Sequence, residues 1–399
     1  MVPNYKQAPK LTVDTHEVPI YGAMGTGATD SIFFIGRADG LGINKPYKVL
    51  SIRDAIEDMQ ADYRSPLLRA TLEAYHSGAK DIYLVATGGM DTYLPPEERD
   101  NEYYIDYYEM LEASYRLLEQ YESPYFVVPL DAPFNDYEVE ANFMAQLMNH
   151  CIRSMIITGN VRIGLIGTVG DIDQHFADRI LGNEELIPDQ RLAEQLSNDP
   201  DWISARKYVA VFAGDVIYNM VEMPVSYRGS VVPCVAAELA QMRLDRSLTH
   251  HKLRIPPQTA GITINQQQLK DIVSKGINVV FNDQRGRRGE PYRCLVSTDN
   301  TLSAEGSDFW SLLQLRLVSH IMRDIKEIGN TYIGNPGFSL FKRDVLNYLV
   351  NMVSSGYIRS YDVNFWQEGR YRTYVDLSVF PYFGIRDINV QVVVGPDKR

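Results

Sequence analysis

The segment Gly167-Thr168-Val169-Gly170-Asp171-Ile172-Asp173 has the residue types and spacing of a metal or phosphate site, with His175 two residues further on. Two carboxylates on a loop that follows a parallel strand could hold a divalent cation, since Mg²⁺ sites often combine one or two carboxylates with substrate phosphates. Asp before a helix is also an ordinary cap and dipole partner, and that reading is preferred here. Gly22, Gly25 and Gly27 superficially suggest a phosphate-cradling loop. Such a loop needs Gly-Lys-Ser/Thr running into a helix, whereas here a strand follows and no lysine is present, so a hinge is the better reading. The seven histidines show no HExxH spacing, and no G-x-S-x-G elbow occurs. His150 and Cys151 are adjacent, and consecutive residues on a helix do not face each other, which disfavours a dyad. Arg285, Arg287 and Arg288 read as a solvated hairpin tip before a nucleic-acid contact. These residues predict no enzyme, with no catalytic, cofactor or metal site. The alternative kept open is an α/β enzyme acting on a phosphorylated small molecule at 167–173.

The elements that would position such groups divide by pattern. An apolar strand at 31–36 precedes a helix from 51, capped by Ser51, and a helix over 66–76 closed by Gly78. Strand DIYLVAT, a tyrosine-rich helix at 102–121, strand PYFVVPL, a helix at 137–154 and strand VRIGLIGT follow, then KYVAVFAG and a helix at 233–244. Strands alternating with helices predict a mostly parallel sheet covered on both faces. After the basic, proline-terminated THHKLRIPP the order changes to helix, two strands, two long helices and three closing strands, which predicts an α+β unit with an antiparallel sheet. Expected boundaries are an N-terminal arm over 1–21, an α/β domain over 22–250, an α+β domain over 251–384 and a terminal strand over 385–399. In that last strand Ile388, Val390, Val392 and Val394 share one face.

Composition narrows the classes. At 399 residues with 45% hydrophobic and 23% charged residues, the chain can bury sizeable cores, and no apolar run approaches a membrane span. Cys151, Cys234 and Cys294 fit neither a disulfide framework nor a zinc set, which points to a reducing compartment. Residues 251–399 hold 19 Lys and Arg against 14 Asp and Glu, leaving 20 against 37 in residues 1–250. The net charge of −12 argues against general nucleic-acid binding.

The order of motifs resembles the contractile phage tail sheath family, and within it the compact members related to the sheaths of contractile injection systems. The back half carries a helix ending in Gly276-Ile277-Asn278-Val279 and a Thr-Leu segment at 297–302. Two helices follow, the second ending in Gly356, then Ile358-Arg359-Ser360-Tyr361-Asp362-Val363, Val379-Phe380-Pro381 and the final strand. The front half carries Asn44-Lys45-Pro46, VLSIRDA, Gly78–Val85, Pro129–Pro133 and Arg162–Thr168. The resemblance implies a subunit of stacked rings around an inner tube, whose contraction drives the tube through the target envelope without nucleotide. It implies a homo-oligomer that also meets the inner tail tube protein and the baseplate and tail terminator proteins. On this resemblance no nucleic acid, membrane or cofactor is expected to take part for this chain, which would be assembled in the bacterial host cytoplasm and reside in the virion. A baseplate component with the same fold is a further alternative. The resemblance further implies that terminal arms add strands to a neighbour's sheet: Leu11, Val13, Val18 and Ile20 in the first, and Ile388, Val390, Val392 and Val394 in the last. Gly22, Gly25, Gly27 and Gly384 would be the joints, and residues 251–384 would face the tube.

Overall fold

A computed structural model describes residues 13–14, 30–94, 98–121, 126–130, 137–158, 161–168, 191, 194, 204–218, 227–254, 266–283, 293–303, 311–333, 337–368 and 372–382. The described residues hold thirteen strands and eight helices. The strands are β1 (Val13–Asp14), β2 (Ile32–Arg37), β3 (Pro46–Lys48), β4 (Ile82–Gly88), β5 (Phe126–Pro129), β6 (Ile163–Thr168), β7 (Val209–Ala213), β8 (Asp215–Tyr218), β9 (Tyr227–Ser230), β10 (Ile277–Asp283), β11 (Arg293–Val296), β12 (Ile358–Glu368) and β13 (Arg372–Pro381). The helices are α1 (Ile52–Asp58), α2 (Pro66–His76), α3 (Asn101–Leu118), α4 (Tyr137–Thr158), α5 (Val232–Gln241), α6 (Gln266–Ser274), α7 (Leu312–Tyr332) and α8 (Phe338–Ser354).

Eight strands form one sheet in the order β11-β10-β7-β6-β5-β2-β4-β3. Its interior pairings are parallel, and β3 and β11 close the two edges antiparallel. The expected alternation of strand and helix is what forces this: a parallel neighbour requires a crossover, and right-handed crossovers set the helices on both faces. α2 packs on α5 over one face, and α3 packs on α4 over the other. Strands so covered read as unbroken apolar runs, and β2 and β6 are buried at every position. Local signals act as expected at several ends. Ser51 Oγ accepts from the Asp54 amide at 3.1 Å, Ser65 Oγ accepts from the Leu68 amide at 3.2 Å, and Gly78 follows α2 with φ +94°.

A second sheet, β1-β13-β12, packs its inner face on α7 and α8 around Phe341, Val345, Leu349, Ile358, Val375 and Leu377. β12 and β13 form the expected antiparallel pair, and β8 and β9 form a separate two-stranded hairpin that the sequence pattern did not indicate. Position 250/251, where the sequence places a boundary, lies within the span of the main sheet. β10 follows that position in the chain and pairs in parallel with β7 (Ile277 opposite Val211), and β11 pairs with β10. α7 joins the two cores, giving Leu312, Leu315 and Met322 to the first and Leu317, Ile321 and Ile325 to the second.

Candidate assembly interface

The groups that suggested chemistry are closed into the fold wherever they are described. A Cβ added to Gly167, at the end of β6, would collide with Ser230 Oγ and fall 2.7 Å from Val232, so the chain before α5 seals this strand end. Asp171, Asp173 and His175 lie outside the described residues. Among the described residues no group of three His, Cys, Asp or Glu side chains gathers as metal ligands, and no helix is long and apolar enough to cross a membrane. His150 stacks on Tyr115 with ring centroids 4.7 Å apart. Burial pushes His150 well below the usual histidine range, with Arg162 and Arg153 adding to it, so the ring is held neutral. Burial also raises the Cys151 thiol to about 12, which leaves no thiolate to act as a nucleophile near neutral pH. Arg162, fully buried, donates through Nη2 to the carbonyls of Leu118 (2.6 Å) and Tyr121, bracing the end of α3.

The segments that carried the family resemblance form a buried polar knot. Asn278, fully buried on β10, uses all four of its hydrogen-bonding positions. Its Nδ2 donates to the carbonyls of Val211 (3.1 Å) and Asn300 (2.8 Å), and its Oδ1 accepts from the Asn300 amide (2.7 Å) and Thr298 Oγ1 (2.9 Å). Asp299 next to it accepts from Ser247 Oγ (2.8 Å), Thr249 Oγ1 (3.2 Å) and Ser311 Oγ (2.9 Å), tying the chain before the expected boundary to the N-cap of α7. Gly276 is obligatory here: its φ is +86°, and a Cβ would lie 2.9 Å from the Thr301 carbonyl oxygen. Spacing alone gave no sign of this knot, since Asn, Asp, Ser and Thr in a run read equally well as a solvated loop.

The assembly residues named from the resemblance divide sharply. Leu11, Val18, Ile20, Gly22, Gly25, Gly27, Gly384, Ile388, Val390, Val392 and Val394 lie outside the described residues. Val13 is described: in β1 it pairs in parallel with Val375 of its own chain, and Asp14 pairs with Asp376. β1 therefore covers two positions of the ten-residue β13, and β12, eleven residues long, is the opposite edge of this sheet. Among the described residues, no strand pairs with the outer side of β12 or with β13 beyond Val375 and Asp376 on its β1 side. The outward face carries Asp362, Asn364 and Trp366 opposite Ser378, Asp376 and Tyr374. Trp366, half exposed, stacks on Tyr374 at 5.3 Å and 11°.

No family model matches the sequence, and no curated protein matches it significantly. Solved structures do match. One chain from a structure titled as the anti-feeding prophage baseplate, 6-fold symmetrised, superposes with a TM-score of 0.65 at 14% identity, covering 98% of this chain and 99% of that one. A chain of the PVC sheath complex of an extracellular contractile injection system, in its contracted state, gives 0.65 at 13%, covering 99% of both chains. The chain has the contractile-sheath fold. The crystal structure of a sheath tail protein from Listeria innocua agrees, with a TM-score of 0.57 at 12% identity over 90% of this chain and 96% of that chain. At such identities the shared property is the fold, and the sheath fold here includes both the eight-stranded sheet and the smaller sheet beside it.

Proposed function

We propose that this chain is a structural subunit of a contractile sheath, polymerising as stacked rings around an inner tube and driving that tube forward on contraction. The observation that carries the reading is coverage: the likeness to contractile sheath chains spans nearly the whole of both chains. The edges of the β1-β13-β12 sheet, to which no further strand pairs among the described residues, support strand exchange between subunits. Among the described residues β1 pairs with two positions of β13; in the assembly an arm from a neighbour would take such an edge, with the tail over 385–399 donated in turn. The binding partners on this reading are further copies of the chain, an inner tube protein, and baseplate and terminator proteins, in a virion or a related injection particle. Two of the matching structures are titled as baseplates, which supports a second reading as a baseplate component of the same fold. Electron microscopy of the purified full chain tests the first reading: it predicts helical tubes. A chain truncated after Gly384 should keep its fold and lose the tubes. Tubes of normal appearance from the truncated chain would refute donation of the tail, and closed rings that never stack would favour the baseplate reading.

A further inference from the structure

Where α7 meets the start of β2, buried charges touch: Asp30, 2% exposed, accepts from Arg316 Nη2 at 3.0 Å and lies 2.6 Å from His320 Nε2. The seam between α3 and α4 is built differently. Arg162, fully buried just ahead of β6, uses Nη2 on the carbonyls of Leu118 (2.6 Å) and Tyr121 at the end of α3. Its Nε and Nη1 are buried and bond to no other group. Glu119, the residue that ends α3, accepts through Oε2 from Arg153 Nη2 of α4 at 3.1 Å, while its Oε1 is buried and unpartnered. The Tyr115 hydroxyl, one turn before Glu119 on α3, is buried and unpartnered too. His150, whose ring stacks on Tyr115, stands one turn before Arg153 on α4. Orphaned groups of both kinds thus face one seam: donors on Arg162 and Tyr115, an acceptor on Glu119.

Buried polar groups in folded proteins find partners, and these do not find one another. Burial pulls the Arg162 guanidinium down to about 10, against the pull of Cys151 and Glu119, so it is still charged near neutral pH. A bound anion would serve its donors but set a second negative charge against Glu119. A metal cation would serve Glu119 and face the guanidinium. Water both donates and accepts, and a buried water commonly makes about three hydrogen bonds to groups of this kind. We infer that ordered water bridges Arg162 to Glu119 inside the α3–α4 seam. It accepts from Nε or Nη1 of Arg162 and donates to Glu119 Oε1, with the Tyr115 hydroxyl as the third partner. The Arg153 side chain, 35% exposed beside Glu119, marks its route from solvent. Through this bridge and the Arg153 contact, one carboxylate ties the end of α3 to both β6 and α4.

The test is a crystal structure of the full chain at a resolution that shows ordered water. The expected result is a density peak about 2.7–3.2 Å from both Glu119 Oε1 and one of the two Arg162 nitrogens, with no anomalous signal there after a bromide soak. Glu119→Gln, which keeps a polar group at that point, should retain the peak, and Glu119→Leu should lose it. A bromide peak would make the site an anion's, and a direct contact between Arg162 and Glu119 would leave water no place. Either result, a seam without density, or a peak unmoved in Glu119→Leu overturns the bridge. Should Glu119→Leu fail to fold, the wild-type density and the bromide soak decide the matter between them.

Discussion

Replacing Asn278 by alanine should be among the costliest single changes in the molecule outside the apolar core. The side chain is fully buried and makes four hydrogen bonds, at 3.1, 2.8, 2.7 and 2.9 Å. Each is worth about 1 kcal/mol net, and a buried polar partner left without a bond costs about 1–3 kcal/mol. The Asn300 amide and carbonyl lose the most, because Asn300 is itself fully buried. Counting those two, with smaller losses at Thr298 and Val211, gives a destabilisation of about 3–5 kcal/mol. Urea unfolding at a protein concentration too low for polymerisation would measure it as a shift in midpoint at unchanged slope. Hydrogen exchange would localise it, with protection lost first over 297–302. A loss below about 1 kcal/mol would show that water can enter and replace the amide, and the argument that this knot fixes α7 to β10 would fail.

Asp30→Asn should destabilise by about 3–5 kcal/mol near neutral pH, as expected for breaking a buried ion pair. Because the folded-state pKa of Asp30 is lowered, its contribution is present above the unfolded value of about 3.9 and is lost as pH falls through the folded value, so wild-type and variant melting temperatures should converge only in acid. Gly276→Ala should cost about 1–2 kcal/mol or more from positive φ and the close Thr301 carbonyl, which differential calorimetry can follow. Cys151 and Cys234, both buried, should resist iodoacetamide in the native protein at pH 8 and react fully in urea, as peptide mass spectrometry would report. Trp366→Ala should cost about 0.5–1.5 kcal/mol, since the stacked pair with Tyr374 is half exposed.

Most of the regular elements were legible because their patterns are local. The Ser51 cap, the Pro66–His76 helix and the apolar runs of β2, β4 and β6 each carry their own signal within a few residues. The pairing of β7 with β10 had no such signal. It joins Val211 to Ile277 across the intervening chain, and THHKLRIPP, where the sequence places a domain boundary, leads through Thr249 and His251 into contacts with Asp299, Val296 and Glu238. A basic, proline-ended stretch looks the same whether it crosses between domains or runs over one sheet. The site was less legible than the fold: nothing periodic marks Asn278 or Asp299, and Asp30 and His320 stand 290 positions apart.

The element order nevertheless carried more than any single motif, and the structure explains why. In this fold each weak motif is half of a contact whose other half lies elsewhere in the chain. Gly276 is required by Thr301, Asn278 by Thr298 and Asn300, and Asp299 by Ser247, Thr249 and Ser311. Such pairs constrain the order in which residue types must follow one another while leaving most intervening positions free. A shared order of motifs can therefore outlast overall identity, which stands at 12–14% against the matching sheath and baseplate structures. The proposed arms would obey a different rule. A strand that completes another subunit's sheet is specified mainly by backbone hydrogen bonds and an alternating apolar face, so its own sequence says little about which partner it meets. For residues 385–399 the sequence shows the alternation and not the destination, which is why removing that proposed arm, and watching whether tubes still form, weighs more than any comparison of sequences.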